Sequence, residues 1–234
     1  MRSYTYRPTD RLSFGVATLL GVQVVAGAIA AVVAWRELRL IERLLRRESN
    51  ALGPIFDAMA HSRLVARAGS TSFLVCASVW LLWQYRAHAN LYAFTVPELE
   101  YRPRRAVIWW FVPVANLWRP FEALRELWKA SGPQVRWWER TTWRLIGWWW
   151  VAWLFTGFGT PWLLVAFREI PDRRGIPLET ITANRIVIAM HIASVVAGPL
   201  AIALVRSVDR RQIRLAAIRG ADSPSIPPPP SETR

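Results

Sequence analysis

Long stretches without a single charged residue alternate along the chain with shorter stretches dense in arginine, and four of the uncharged stretches are long enough to cross a bilayer. The first runs from Leu12 to Trp35, and at 1.5 Å per residue its 24 positions outreach a hydrocarbon core of about 30 Å. The second, Ala68 to Tyr85, has 18 uncharged residues between Arg67 and Arg86 and closes on Trp80, Trp83 and Tyr85, side chains suited to the headgroup level. The third, Leu145 to Phe167, has 23 and starts under a dense aromatic group of Trp137, Trp138, Trp143, Trp148, Trp149 and Trp150. The fourth, Ile186 to Val205, has 20, with Gly198-Pro199 marking an expected kink. An unpaired backbone group in lipid costs several kcal/mol and no alternating barrel pattern is present, so each run is read as a helix. The expected fold class is an all-α polytopic transmembrane helix bundle. It forms a single domain over residues 1–219, with spans near 12–35, 68–85, 145–167 and 186–205.

The shorter stretches add detail. Ala106 to Trp118 is apolar, but its thirteen residues reach only about 20 Å and Pro113 interrupts them. The segment is therefore re-entrant, interfacial or a fifth span. Residues 36–48 extend the first helix as an amphipathic helix, with Leu38, Ile41, Leu44 and Leu45 on one face and arginines mostly on the others, a pattern expected to rest on anionic headgroups. A second amphipathic helix is predicted over about 120–130. Pro120 suits its first position, Phe121, Leu124 and Trp128 form its apolar stripe, and Glu122 with Arg125 and Glu126 with Lys129 are spaced for ion pairs. Residues 220–234 turn to Ser, Pro and charge, and are expected to be a disordered Pro-rich tail. For the first run a cleavable leader is the competing reading, since Arg2, Arg7 and Arg11 precede it and Ala28-Ile29-Ala30 resembles a cleavage site. Its continuation to Trp35 exceeds a leader's apolar region of about 7 to 15 residues and favours a span.

Composition agrees with a membrane class: 53% of residues are hydrophobic and the mean hydropathy is +0.17. Thirty basic residues against sixteen acidic give a net charge of +14, which in a soluble chain would suggest nucleic acid. Here the basic residues flank apolar spans, so nucleic acid is excluded and the lipid bilayer with its anionic headgroups is the expected partner. With four spans, nineteen of the thirty fall on the side of both termini; with five, nineteen fall on the side of the C-terminus alone. Either topology puts the C-terminus in the cytoplasm, and only the N-terminus changes sides. Cys76 lies alone in an apolar run, and His61, His88 and His191 match no metal motif, so neither metal nor cofactor is expected. HExxH, GxSxG, P-loop and dinucleotide-turn motifs are absent from the sequence, and the carboxylates Glu98, Glu100, Glu122 and Glu126 sit among arginines as ion-pair partners. The expectation is a non-enzymatic protein.

The most specific pattern is central. Tyr85-Arg86-Ala87 and Asn90-Leu91 are followed by Trp109-Trp110-Phe111-Val112-Pro113, Asn116-Leu117, Arg119-Pro120 and Arg125-Glu126-Leu127-Trp128. This arrangement resembles the bacterial membrane-protein family DUF4328, a family of unknown function. The resemblance covers roughly residues 68–205 and implies a multi-pass protein of the bacterial inner membrane without implying an activity. On physical grounds Arg86 and Asn90 share a face one turn apart at the end of the second span, and Asn116 and Arg119 lie within one turn beside the Pro113 to Pro120 break. The two sets are expected to meet, together with Glu122 and Glu126. They would either hold a broken helix together or form a polar pocket for an anionic lipid or small anion. The wider function is expected to be assembly or regulation with membrane-protein partners or further copies of the chain.

Overall fold

The computed structural model describes residues 4–46, 52–133, 136–166 and 178–221, and among them every regular element is helical. The Pro-rich tail from residue 222 onward, with the end of the predicted third span, lies outside the described residues. Four long helices dominate: α1 (Asp10–Leu45), α2 (Leu52–Ala93), α5 (Arg144–Ala166) and α6 (Leu178–Ala221). Two short ones lie between α2 and α5, namely α3 (Pro103–Ile108) and α4 (Arg119–Ala130), with 3-10 turns at Ala115–Leu117 and Trp137–Glu139. Three helices are long and apolar enough to cross a membrane, over Asp10–Arg43, Arg63–Ala93 and Ile181–Arg219. Helix α5, the sequence's third span, is not among these three, which were found among the described residues alone. Three of the four expected spans thus lie on helices long and apolar enough to cross a membrane.

The long helices alternate in direction. Helix α1 packs against both α2 and α6, and α6 against α5, while α2 and α5 meet chiefly through the stacked rings of Trp80 and Trp149, 5.4 Å apart. Glycines set the closest approach: a methyl at Gly198 of α6 would collide with Val24 of α1, and one at Gly27 would stand 2.7 Å from Ser194 Oγ. Pro199 follows at once inside α6, which continues through it to Ala221. Helix α1 starts where Asp10 places a negative charge in the first turn, and it continues without a break to Leu45. The basic stretch from Arg36 is thus the far end of α1, with Leu38 and Ile41 buried.

One end of the bundle is closed. There the start of α1, the end of α2, the start of α5 and the end of α6 come together: Thr9 donates its hydroxyl to Asp209 at 2.6 Å, and Arg219 donates to the Phe94 carbonyl. Helix α4 lies across this end because its sequence is strongly two-faced. Ala123, Leu124, Leu127 and Trp128 are buried, whereas Arg125 is exposed. Pro120 occupies the first turn, where a missing N–H costs nothing.

The surface inverts the usual order of soluble proteins. Phe14, Val25, Val32, Leu74, Leu82, Trp148 and Val151 point outward, while Gln84, His88, Asn90 and Gln212 are buried. Lipid solvates such an exterior, and polar groups then gather inside where they find partners.

Candidate functional site

The chain between α2 and α5 leaves the closed end and returns to it. Tyr101, on the way out, and Arg119, on the way back, are in contact: Arg119 Nη1 donates to Tyr101 Oη at 3.0 Å, to Glu100 Oε1 at 3.2 Å and to Glu122 Oε2 at 3.2 Å. A thirteen-residue crossing would have held these ends about 20 Å apart. The segment 106–118 therefore doubles back on itself. Trp110 Nε1 donates to Gln84 Oε1 at 2.8 Å on the way in, and Trp150 Nε1 donates to the Leu117 carbonyl at 3.1 Å near the exit. The turn itself is tight: the Ala115 N–H reaches the Pro113 carbonyl at 2.7 Å across Val114, whose φ is 66° and ψ −54°. A β-branched residue in that region is strained. The tip exposes Ile108, Phe111, Val114 and Trp118.

Around Arg119 the charges close on one another. Tyr101 Oη donates to Glu122 Oε2 at 2.6 Å, and the Arg119 guanidinium also lies 5.6 Å from the Trp109 ring centre. Burial of the phenol, followed by its bond to Glu122, holds the Tyr101 proton well above the usual tyrosine range. Glu126, one turn further along α4, is 6% exposed and accepts the backbone N–H groups of Glu100 at 2.8 Å and Tyr101 at 3.1 Å. Burial pushes its carboxyl up to about 7; the two N–H bonds act against that shift and the neighbouring Glu100 charge adds to it. These carboxylates thus clamp the 100–101 backbone onto α4. The pairs expected from spacing, Glu122 with Arg125 and Glu126 with Lys129, do not form, because the tertiary partners are nearer. Arg125 lies over Phe121 instead, and Lys129 reaches the Trp138 carbonyl at 3.5 Å.

Asn90 belongs to a different network. Its Oδ1 accepts the Arg7 N–H at 3.1 Å, and its Nδ2 donates to the Arg7 carbonyl and to Gln212 Oε1, both at 3.0 Å. Gln212 Nε2 donates in turn to the Ala87 carbonyl at 2.8 Å and to Ser131 Oγ at 3.3 Å, and Ser131 Oγ donates to the Leu127 carbonyl at 2.7 Å. One buried side chain on α2 therefore ties together the N-terminal strand of chain, α2 and α6, and its partner Gln212 extends the tie to the end of α4. Asn116 joins neither network, its Oδ1 being buried with no partner among the described residues. Arg86 is half-buried and makes no hydrogen bond or ion pair among them. Of the residues singled out in the sequence, then, Arg119, Glu122 and Glu126 are brought together, Asn90 is held elsewhere, and Pro113 and Pro120 bound the turn and the helix start.

Tyr101 and Gln212 escaped the sequence reading. Neither lies in an apolar run, so neither stands out as a polar residue in lipid, and both partners are far away along the chain. Gln84 and His88 were findable in principle. They are polar, one turn apart, at the end of the second span, and both are fully buried. His88 Nδ1 donates to the Gln84 carbonyl at 2.9 Å. Among the described residues no group of three or more His, Cys, Asp or Glu side chains is placed to hold a metal ion.

Comparison with curated proteins and with solved structures gave no match. The family model for the domain of unknown function DUF4328 matches residues 50–210, which is more than half of the chain and includes segment 106–118 and α4, and the chain belongs to that family.

Proposed function

We propose that this is a four-span protein of the bacterial inner membrane, without enzymatic activity, that acts through assembly with or regulation of other membrane components. In this reading α5 is the fourth span, the closed end with both termini faces the cytoplasm, and segment 106–118 dips into the inner leaflet from that side. Nineteen of the thirty basic residues then lie on the cytoplasmic side.

One observation supports the non-enzymatic reading above the others: the charged groups gathered around Arg119 are spent on each other and on the backbone. Arg119 divides its donors among Glu100, Glu122 and Tyr101, and Glu126 accepts two backbone N–H groups. A cluster so satisfied is scaffolding for a surface rather than a reaction centre. It also weakens the alternative in which Arg86, Asn90, Asn116 and Arg119 take a lipid or a small anion, since Asn90 and Arg119 already have protein partners.

Affinity purification of the full chain in mild detergent, with crosslinking in membranes beforehand, tests the assembly reading. A reproducible partner or a defined homo-oligomer is expected. Repeated recovery of a bare monomer would sink it. Reporter fusions at both termini test the topology, and an N-terminus reporting the periplasm would break the four-span assignment.

A further inference from the structure

A second basic cluster at the closed end has no acidic partner among the described residues. Arg211 on α6 lies with its guanidinium carbon 3.7 Å from the centre of the Trp128 ring, and Arg140, just after the Trp137–Glu139 turn, lies 5.3 Å from the same ring. The two guanidiniums converge over Gly132, where an added methyl would collide with Arg140 Nη1 and stand 3.4 Å from Arg211 Nη1. Arg214 follows one turn along α6 on the same side. Among the described residues none of the three makes an ion pair. Nearby Glu139 is held by Arg136 at 2.6 Å, and Asp209 accepts from Thr9. Arg211 makes one long bond, 3.5 Å to the Trp128 carbonyl, and Arg140 makes none among the described residues.

The platform beneath them is rigid. Trp128 is 6% exposed, its Nε1 donates to Ser207 Oγ at 3.1 Å, and Trp143 stacks on it at 5.9 Å. Gln212, next to Arg211, is fixed by its bonds to Ala87 and Ser131, which sets the rotation of α6 at this level. Two planar cations are thus held by stacking, with most of their N–H donors unused and no counter-charge among the described residues. That combination suits an oxyanion with several acceptor oxygens, because a guanidinium fork and a phosphate match in geometry as well as charge.

We propose that Arg140 and Arg211, stacked on Trp128 over Gly132, form a phosphate-binding site. The ligand chemistry is a phosphate ester, either the headgroup of an anionic lipid or a free phosphate compound. The lipid source rests on the membrane reading above, since the cluster lies at the closed end, where headgroups would surround it.

The test uses purified, delipidated full-length protein in dodecyl maltoside, titrated calorimetrically with dihexanoylphosphatidylglycerol, dihexanoylphosphatidylcholine and inorganic phosphate. The phosphatidylglycerol probe is expected to bind, and Arg140→Gln and Arg211→Gln each to weaken it about tenfold or more. Arg39→Gln, at the far end of α1, should leave binding unchanged. Because Arg211→Gln disturbs a long helix, Gly132→Ala serves as the second probe: it keeps every charge but fills the point of convergence, and should also weaken binding. Competition by inorganic phosphate assigns the site to free phosphate, and binding of phosphatidylglycerol alone assigns it to lipid. No binding, or binding that ignores Arg140→Gln and Gly132→Ala, overturns the proposal. The probes are soluble, so that failure leaves the span assignment, read by reporter fusions, untouched.

Discussion

Removing the Asn90 side chain is the sharpest test of how the closed end is held. Asn90→Ala deletes three hydrogen bonds, from the Arg7 N–H and to the Arg7 and Gln212 oxygens, in a position with no solvent exposure. Interhelical hydrogen bonds in membrane proteins contribute about 0.6 kcal/mol on average and up to about 1.7, and near water the figure is about 1. Three such bonds, less a discount for the partly exposed Arg7 backbone, give an expected loss of roughly 2 to 3 kcal/mol. Reversible unfolding in mixed micelles of dodecyl maltoside and SDS measures it. Gln212→Ala breaks the same network from α6, so the double variant should lose less than the sum of the two, with a coupling of about 0.5 to 1.5 kcal/mol. Asn90→Asp sharpens the assignment. It keeps the acceptor for Arg7 but sets a carboxylate against two oxygens that need donors, so it should be worse than alanine at neutral pH. A loss under about 0.5 kcal/mol for Asn90→Ala, or strict additivity with Gln212→Ala, would refute the idea that this side chain ties the segments.

Three further outcomes follow from the same geometry. The Glu126 carboxyl sits at about 7 in the folded chain against an ordinary 4.5, so folding takes up a proton. Its contribution is fully present below pH 4.5 and is lost as pH rises through about 7. Stability measured between pH 5 and 8 should therefore fall by up to roughly 3 kcal/mol, and Glu126→Gln should flatten that profile; an unchanged slope would point to another group. Gly198→Ala drives a methyl into Val24 and should cost about 1 to 3 kcal/mol, with Val24→Ala restoring most of the loss; no rescue would mean that the cost arises inside α6. Val114→Gly removes a β-branched residue from a positive φ and should raise stability by about 1 kcal/mol, whereas a clear loss would show that the exposed valine makes contacts that matter more than its strain.

The long helices were legible because lipid imposes a length on them: runs of 18 to 24 uncharged residues became α1, α2, α5 and α6. Helix α4 was legible for a different reason, since Pro120 and a two-faced pattern mark it locally. What the sequence could not carry is any contact made between distant segments. Spacing made Glu122 a partner of Arg125, yet the strongest neighbours of Glu122 are Tyr101 and Arg119, brought in by the returning chain. Asn90 was visible as a polar residue at a helix end, but its partner Gln212 stands in a charged stretch where a glutamine is unremarked. The course of segment 106–118 was likewise open, because charge counting returned the same split for a dip and a crossing. The return of the chain shows only in the bonds of Trp110 to Gln84 and Arg119 to Glu100.

Lys129 is the one lysine among thirty basic residues, and the preference for arginine has a physical consequence at the closed end. Among the described residues all five cation–π contacts use arginine: Arg39 on Trp35, Arg119 on Trp109, Arg125 on Phe121, and Arg140 and Arg211 on Trp128. A flat guanidinium covers an aromatic ring and still presents donors at its edge, whereas an ammonium is a compact, strongly hydrated charge that does the first poorly. In a headgroup region rich in tryptophan, arginine therefore serves twice, packing against indole on its face and bonding at its rim. At Arg119 the rim is turned inward to Glu100, Tyr101 and Glu122, and the residue holds the fold together. At Arg140 and Arg211 the same stacking leaves most of the rim donors without an acceptor among the described residues, one long bond from Arg211 to the Trp128 carbonyl aside, and that difference separates a structural arginine from one set to hold a ligand.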